Sequence, residues 1–214
     1  MESEAKLRCR CGEVTGRVSG ASPSKLNRVV CYCSDCQAFA HYLGRADLLD
    51  AQGGSDIVQV APASVAFDRG AERIAALKLS EKGLYRFYVD CCKTPIGNLV
   101  GPAIPFIGIV AQAFEGDARS RDELVGKPTG AIHGQDAIGT APPGSRKVRL
   151  PLMLRALRLV IGWRLTGRAW PHPFFDRTTG APKHSVKILS KAERDALRPL
   201  CGPRPTVRAA HGGA

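Results

Sequence analysis

Cys31-Tyr-Cys33-Ser-Asp-Cys36 is the stretch whose reading decides what this chain is. In an extended segment residues two apart point to the same side, so Cys31-x-Cys33 offers two sulfurs to one ion. The two residues between Cys33 and Cys36 make the other common knuckle spacing. Outward from this packet, Cys9-Arg-Cys11 precedes it and Cys91-Cys92 follows, so seven of the eight cysteines fall within the first 92 residues. Four protein ligands close a structural zinc, whereas three leave a position for water or substrate. Seven thiols divide into four and three. The expectation is two zinc ions per chain. Cys9, Cys11, Cys91 and Cys92 would hold a structural ion that ties the start of the domain to its far end. Cys31, Cys33 and Cys36 would hold a second ion with an open position.

Disulfides are the main alternative. The packets sit too close along the chain for easy internal bridges. Met1-Glu2-Ser3-Glu4 has neither the basic nor the apolar region of a secretory signal. The expected setting is a reducing, cytoplasmic one, where disulfides rarely persist. Four thiolates also suit an iron–sulfur cluster; zinc leads because it needs no redox partner.

Apolar residues make up 44% of the 214, ample for a core. Residues 1–144 carry 16 Lys+Arg against 16 Asp+Glu, and residues 145–214 carry 15 against 3, which accounts for the whole net charge of +12. The Pro/Gly-rich run Gly139-Thr-Ala-Pro-Pro-Gly-Ser145 reads as the boundary. The expected organisation is a mainly β zinc-binding domain over 1–140, a basic and partly helical extension over 141–201, and a disordered tail over 202–214.

Strands are expected at Val58–Val60, Val65–Phe67, Leu84–Val89 and Ile104–Val110, from their β-branched and aromatic residues. Turns are expected at Gly53-Gly54, Asp68–Gly70, Lys82-Gly83 and Gly101-Pro102. Val148–Leu165 reads as a helix on which Pro151, Arg155, Arg158 and Gly162 form one polar stripe on an otherwise apolar cylinder. Arg155, Arg158 and Arg164 interrupt it, so a transmembrane span is not expected. Docking on the protein's own surface is preferred, and lying in a membrane interface is the sharper alternative. Ser190 and Glu193 have capping-box spacing and announce a second short helix.

Cys9-Arg-Cys-Gly12, Cys31-Tyr-Cys-Ser-Asp-Cys36 and Cys92-Lys-Thr-Pro95 together resemble the glutathione-dependent formaldehyde-activating enzyme family, which includes centromere protein V. The resemblance spans about residues 6–115. It implies a β-tent of small antiparallel sheets, a structural zinc between the first and last packets, a second zinc at the middle packet, and carbon–sulfur lyase chemistry on an S-hydroxymethyl adduct of glutathione. The chain departs from that pattern in four places. Val89 stands where the late knuckle has its first cysteine, Lys93 replaces glycine, and Gln37 replaces a basic residue after the middle packet. The basic section with Trp170-Pro-His-Pro-Phe-Phe-Asp176 lies outside it.

A zinc with three thiolates carries net charge −1 and suits a soft sulfur donor better than generation of hydroxide. That agrees with a small thiol or thiol adduct as substrate. His41 is the candidate that would instead close the site. Ser34 and Asp35 lie inside the knuckle, where turn chemistry explains them. Gly53-Gly54-Ser55-Asp56 lacks the helix and lysine of a phosphate loop and reads as a turn. His133, His172 and Cys201 stand alone. The second class of function is a non-enzymatic zinc module whose basic tail binds nucleic acid or an anionic membrane surface.

Overall fold

The computed structural model describes residues 4–203. In chain order the strands are β1 (Glu4–Arg8), β2 (Thr15–Ser19), β3 (Asn27–Cys31), β4 (Ser55–Val60), β5 (Val65–Arg69), β6 (Ile74–Lys78), β7 (Tyr85–Val89), β8 (Thr94–Leu99), β9 (Ile107–Val110), β10 (Gly130–Ile132) and β11 (Val186–Ile188). The helices are α1 (Ser34–Tyr42), α2 (Ala118–Val125), α3 (Leu150–Leu165) and α4 (Lys191–Leu197).

The fold is mixed α/β and rich in sheet. A three-stranded sheet has the order β1-β2-β5, and an eight-stranded sheet the order β10-β3-β4-β9-β8-β7-β6-β11. The two edge strands, β10 and β11, run parallel to their neighbours; the other pairs are antiparallel. Where small antiparallel sheets were expected, one of the two is therefore large.

The β1–β2 hairpin shows the period-two burial of a half-covered sheet, with Ala5, Leu7, Gly16 and Val18 inward. Gly16 lies at a register shift against β5, where a Cβ would stand 2.5 Å from the Ala66 carbonyl. Every residue of β8 is buried, as in a strand covered on both faces. The largest core unites both sheets and includes Phe87, Ile96, Leu99, Ile107 and Phe114. Phe174 and Phe175, from beyond α3, enter the same core, and Phe174 stacks on Phe87 with ring centroids 3.9 Å apart.

The expected strands fall in β4, β5, β7 and β9, although Ile104 remains in the preceding turn. The Ser190–Glu193 capping box is present and starts α4. Cys31-x-Cys33 is extended, as expected, and the knuckle from Cys33 to Cys36 is the first turn of α1, which begins directly after Cys33. Gly202, expected in a disordered tail, is buried and donates its amide to Gln37 Oε1 at 2.7 Å. The rest of the expected tail, from residue 204 on, lies outside the described residues.

His172 is 2% exposed, and its Nδ1 accepts the Phe174 amide at 3.1 Å. Its Nε2 is buried without a hydrogen-bond partner among the described residues. Burial, with the Lys183 charge second, holds its pKa down to about 4. An unfolded histidine takes its proton near pH 6.5, whereas the folded one resists until about pH 4, so acid favours the unfolded chain across that window. Relative to His172→Gln, the wild type should lose roughly 3 kcal/mol between pH 7 and pH 4. Urea titrations at pH 7, 6, 5 and 4 measure this, and a difference that stays constant with pH would contradict it.

Candidate metal centres

Two triads of sulfurs converge, Cys9–Cys11–Cys92 and Cys31–Cys33–Cys36, each with all its Sγ atoms within 4.8 Å of one another. Sulfurs about 2.3 Å from a tetrahedral zinc lie about 3.8 Å apart, so both triads fit such an ion. All eight cysteines are free thiols.

The outer triad joins two tight turns. Cys9 and Cys11 lie in the loop between β1 and β2, where Gly12 takes a left-handed φ of 80° and donates its amide to the Cys9 carbonyl. Cys92 lies in the turn from β7 to β8, where Lys93 has φ 54°, the conformation that favours the glycine of the related pattern. Lys93 pairs with Asp90 across this turn. The Arg10 amide donates to Thr94 Oγ1 at 3.1 Å, linking the two turns directly. An ion held there would staple the three-stranded sheet to the eight-stranded one.

Cys9 Sγ accepts the Val14 amide at 3.2 Å and lies 3.5 Å from Cys11 Sγ. Burial works to raise the Cys92 thiol, but the Thr94 hydroxyl and the amides of Cys11 and Thr94 outweigh it and bring the pKa down to about 6. Cys91 is exposed. Its sulfur lies 3.4 Å from Cys11 Sγ but outside the mutual triad. Neighbouring side chains diverge, and the turn brings Cys92 fully into the cluster while leaving Cys91 at its rim.

In the middle triad, Cys31 ends β3, Cys33 is the extended N-cap residue of α1, and Cys36 lies in its first turn. Helix N-termini favour negative charge, so this placement suits thiolates. Cys31 Sγ and Cys33 Sγ are 3.4 Å apart. Sharing hydrogens with Cys31 and Cys33, and then the Arg86 charge, holds Cys36 well below the usual thiol range despite complete burial. Cys31 moves up, because its proton is shared with Cys33 and Cys36 and it is itself buried.

His41 is not among the converging donors. It sits five residues after Cys36 on α1, about 7.5 Å farther along the axis and well around it. Among the described residues no histidine, cysteine or carboxylate joins Cys31, Cys33 and Cys36 within 4.8 Å. Asp35 is exposed in the first turn of α1, and the Ser34 amide donates to Asp136 Oδ2 at 3.4 Å. The Gly53-Gly54 turn is internally satisfied, since Asp50 Oδ1 accepts the amides of Gln52 and Gly54.

Arg86, on β7, carries a site role that the sequence reading missed. It is 1% exposed, and its Nη1 lies 3.8 Å from Cys36 Sγ and 3.3 Å from Asn98 Oδ1. Its Nη2 is 3.8 Å from the Asp35 carboxylate, yet neither Nη2 nor Nε makes a hydrogen bond among the described residues. A positive charge thus reaches the middle triad from β7. The available signal was one arginine inside the aromatic run Tyr85-Arg-Phe-Tyr-Val89. Gln37 is fully buried and serves as a strut: its Nε2 donates to the carbonyls of Tyr32 and Asp136.

Among solved structures, a Rhodobacter sphaeroides protein from a structural genomics programme aligns with 56% of this chain and 96% of its own, at 18% identity and a TM-score of 0.40. No curated protein matches. The family model that matches does so over residues 1–186, and the chain belongs to that family, DUF6151, a family of unknown function.

Proposed function

We propose that this chain is a zinc protein of two unlike sites, one structural and one that takes the sulfur of a small thiol or thiol adduct. Cys9, Cys11 and Cys92, with Cys91 at the rim, would hold the structural ion. Cys31, Cys33 and Cys36 would hold the second ion, in a β-tent arrangement like that of the formaldehyde-activating and centromere protein V family. The reaction class that fits is carbon–sulfur lyase-like, with an adduct such as S-hydroxymethylglutathione as the model substrate.

The observation that carries this reading is the middle triad itself: three converging sulfurs, no fourth donor within 4.8 Å among the described residues, and a buried arginine at 3.8 Å. A zinc held by three thiolates supplies a soft, sulfur-seeking coordination position. Arg86 offsets the excess negative charge there. A hollow of about 200 Å³ opens between α1 and α4, lined by Ser34, Asp35, Arg194, Arg198 and Cys201 among others. Arg194 and Arg198 there suit the carboxylates of a peptide-like thiol, and Asp35 and Asp195, which also line it, suit its amine.

Cobalt substitution tests the reading, since cobalt spectra report coordination number and sulfur ligation. Glutathione is expected to change the spectrum of the wild type, and Cys33→Ser to blunt that change. If thiols leave the cobalt spectrum untouched, the middle ion is a closed structural one, and a non-enzymatic zinc module replaces the enzyme.

A further inference from the structure

The apolar residues of α3 outnumber what its docking uses. Leu152 and Trp163 are buried, and Leu152 packs in one cluster with Val29, Cys31, Cys36 and Ile57. The expected polar stripe does not simply face solvent. Arg155 turns inward and donates from Nη2 to the carbonyls of Pro23 and Leu26, both at 2.6 Å, while Pro151 and Arg158 are exposed. The opposite face is left with Leu150, Met153, Leu154, Leu157, Ile161 and Leu165, between 47% and 81% exposed. These positions follow the i, i+3/i+4, i+7 spacing of a single helical stripe. Val100 and Ile104, in the loop held by the Arg164–Ala103 hydrogen bond, are also exposed near its C-terminal end.

The charge along α3 and its flanking chain has one sign. Residues 137–175 contain seven Lys+Arg and no Asp or Glu. Arg146, Lys147, Arg149, Arg158 and Arg164 are exposed on or just before α3. The nearest acids in the following sequence are engaged elsewhere: Asp176 caps its own turn, Glu193 pairs with Lys187 and Asp195 with Lys191. A second copy laid against the stripe would bring cations against cations. Nucleic acid would match the charge, but phosphates and base edges give six aliphatic side chains little to bury against. Among the described residues no helix is long and apolar enough to cross a membrane.

We propose that the outward face of α3 is a docking surface for an anionic lipid bilayer, lying in the interface with its leucines in the acyl boundary and its arginines among the headgroups. An exposed aliphatic stripe rimmed by cations is the arrangement that interfacial helices use. An open hollow at the C-terminal end of α3, lined by Arg164, Arg177 and Trp170 among others, adds two guanidiniums and an indole at headgroup depth. The proposal stands apart from the chemistry of the middle site.

Vesicle co-sedimentation of the full chain, purified with its metals, tests it. The wild type is expected to bind vesicles containing phosphatidylglycerol, to bind pure phosphatidylcholine poorly, and to lose binding as salt rises. The triple variant Leu154→Gln, Leu157→Gln, Ile161→Gln should bind at least about a hundredfold more weakly, with an unchanged circular dichroism spectrum. Arg158→Gln, which leaves the aliphatic stripe intact, should weaken binding about fivefold, and only to anionic vesicles. Failure of the wild type to bind anionic vesicles would overturn the proposal, as would full binding by the triple variant. Two alternative occupants would also replace it: a dimer that the triple variant dissociates, or retention on DNA in place of vesicles that the triple variant leaves intact.

Discussion

Cys92→Ser is expected to unfold much of the protein at room temperature, whereas Cys33→Ser is expected to remove one metal equivalent and leave the fold standing. The asymmetry follows from where each triad sits. Cys92 closes a site whose other sulfurs, on Cys9 and Cys11, belong to the β1–β2 loop, and apart from the cysteines the two turns are joined by the Arg10–Thr94 hydrogen bond. A structural zinc contributes on the order of 10 kcal/mol of apparent binding energy that the unfolded chain lacks. Domains of this size are stable by only about 5–15 kcal/mol, so losing that ion consumes most of the margin. The middle triad lies within one short stretch, Cys31 to Cys36, already fixed by β3, by α1 and by the Gln37 hydrogen bonds. Cys9→Ser should behave like Cys92→Ser. Cys91→Ser should be milder than either, since its exposed sulfur touches Cys11 but lies outside the mutually converging triad. Elemental analysis and thermal melts of the four variants decide the matter. Equal melting temperatures for Cys92→Ser and Cys33→Ser would contradict the assignment of the outer site as structural.

What was legible in the sequence was local. The cysteine spacing announced the middle triad and an outer set of four, of which Cys9, Cys11 and Cys92 converge and Cys91 does not; β-branched and aromatic runs announced β4, β5, β7 and β9, and Ser190 with Glu193 announced α4. The parts that were not legible depend on long-range register. Cys31-x-Cys33 reads as extended and is so; what its spacing does not announce is α1, which begins at Ser34 and turns the third sulfur back. The edge strands β10 and β11 are three residues each, too short for a periodic signal, and exist because a neighbouring strand offers a free edge. Arg155 marks a polar stripe that ought to face water, but its long side chain reaches two loop carbonyls and turns that side of α3 inward. Phe174 and Phe175 lie in a basic stretch far along the chain, and nothing local says that they complete a core begun at β1. Arg86 reads as one charge in a strand until β7 is paired with β8, which sets it opposite Asn98 and beneath Cys36.

Arg86→Met is expected to act through the middle site's charge, and a double-mutant cycle with Cys33→Ser separates that role from packing. The guanidinium is 1% exposed, stands 5.4 Å over the Phe39 ring, and leaves Nε and Nη2 without hydrogen bonds among the described residues. A buried cation so poorly paired is costly unless negative charge lies close by. The nearest anionic groups are Cys36, with Nη1 3.8 Å from its sulfur, and the exposed Asp35 carboxylate, 3.8 Å from Nη2. Removing one partner of a buried charge pair costs about 3–5 kcal/mol, which corresponds to a loss of at least a hundredfold in metal affinity at the middle site. Once Cys33→Ser has disabled that site, the arginine has little left to neutralise. Arg86→Met should then leave stability nearly unchanged or raise it, because methionine fills similar space without a charge to desolvate. The coupling between the two substitutions is therefore expected to be about 3 kcal/mol, far above the few tenths seen for independent sites. Chelator competition reads the affinity, and denaturant melts of the four proteins read the stability. Additive effects in both would mean that Arg86 serves only its bond to Asn98 and its place over Phe39.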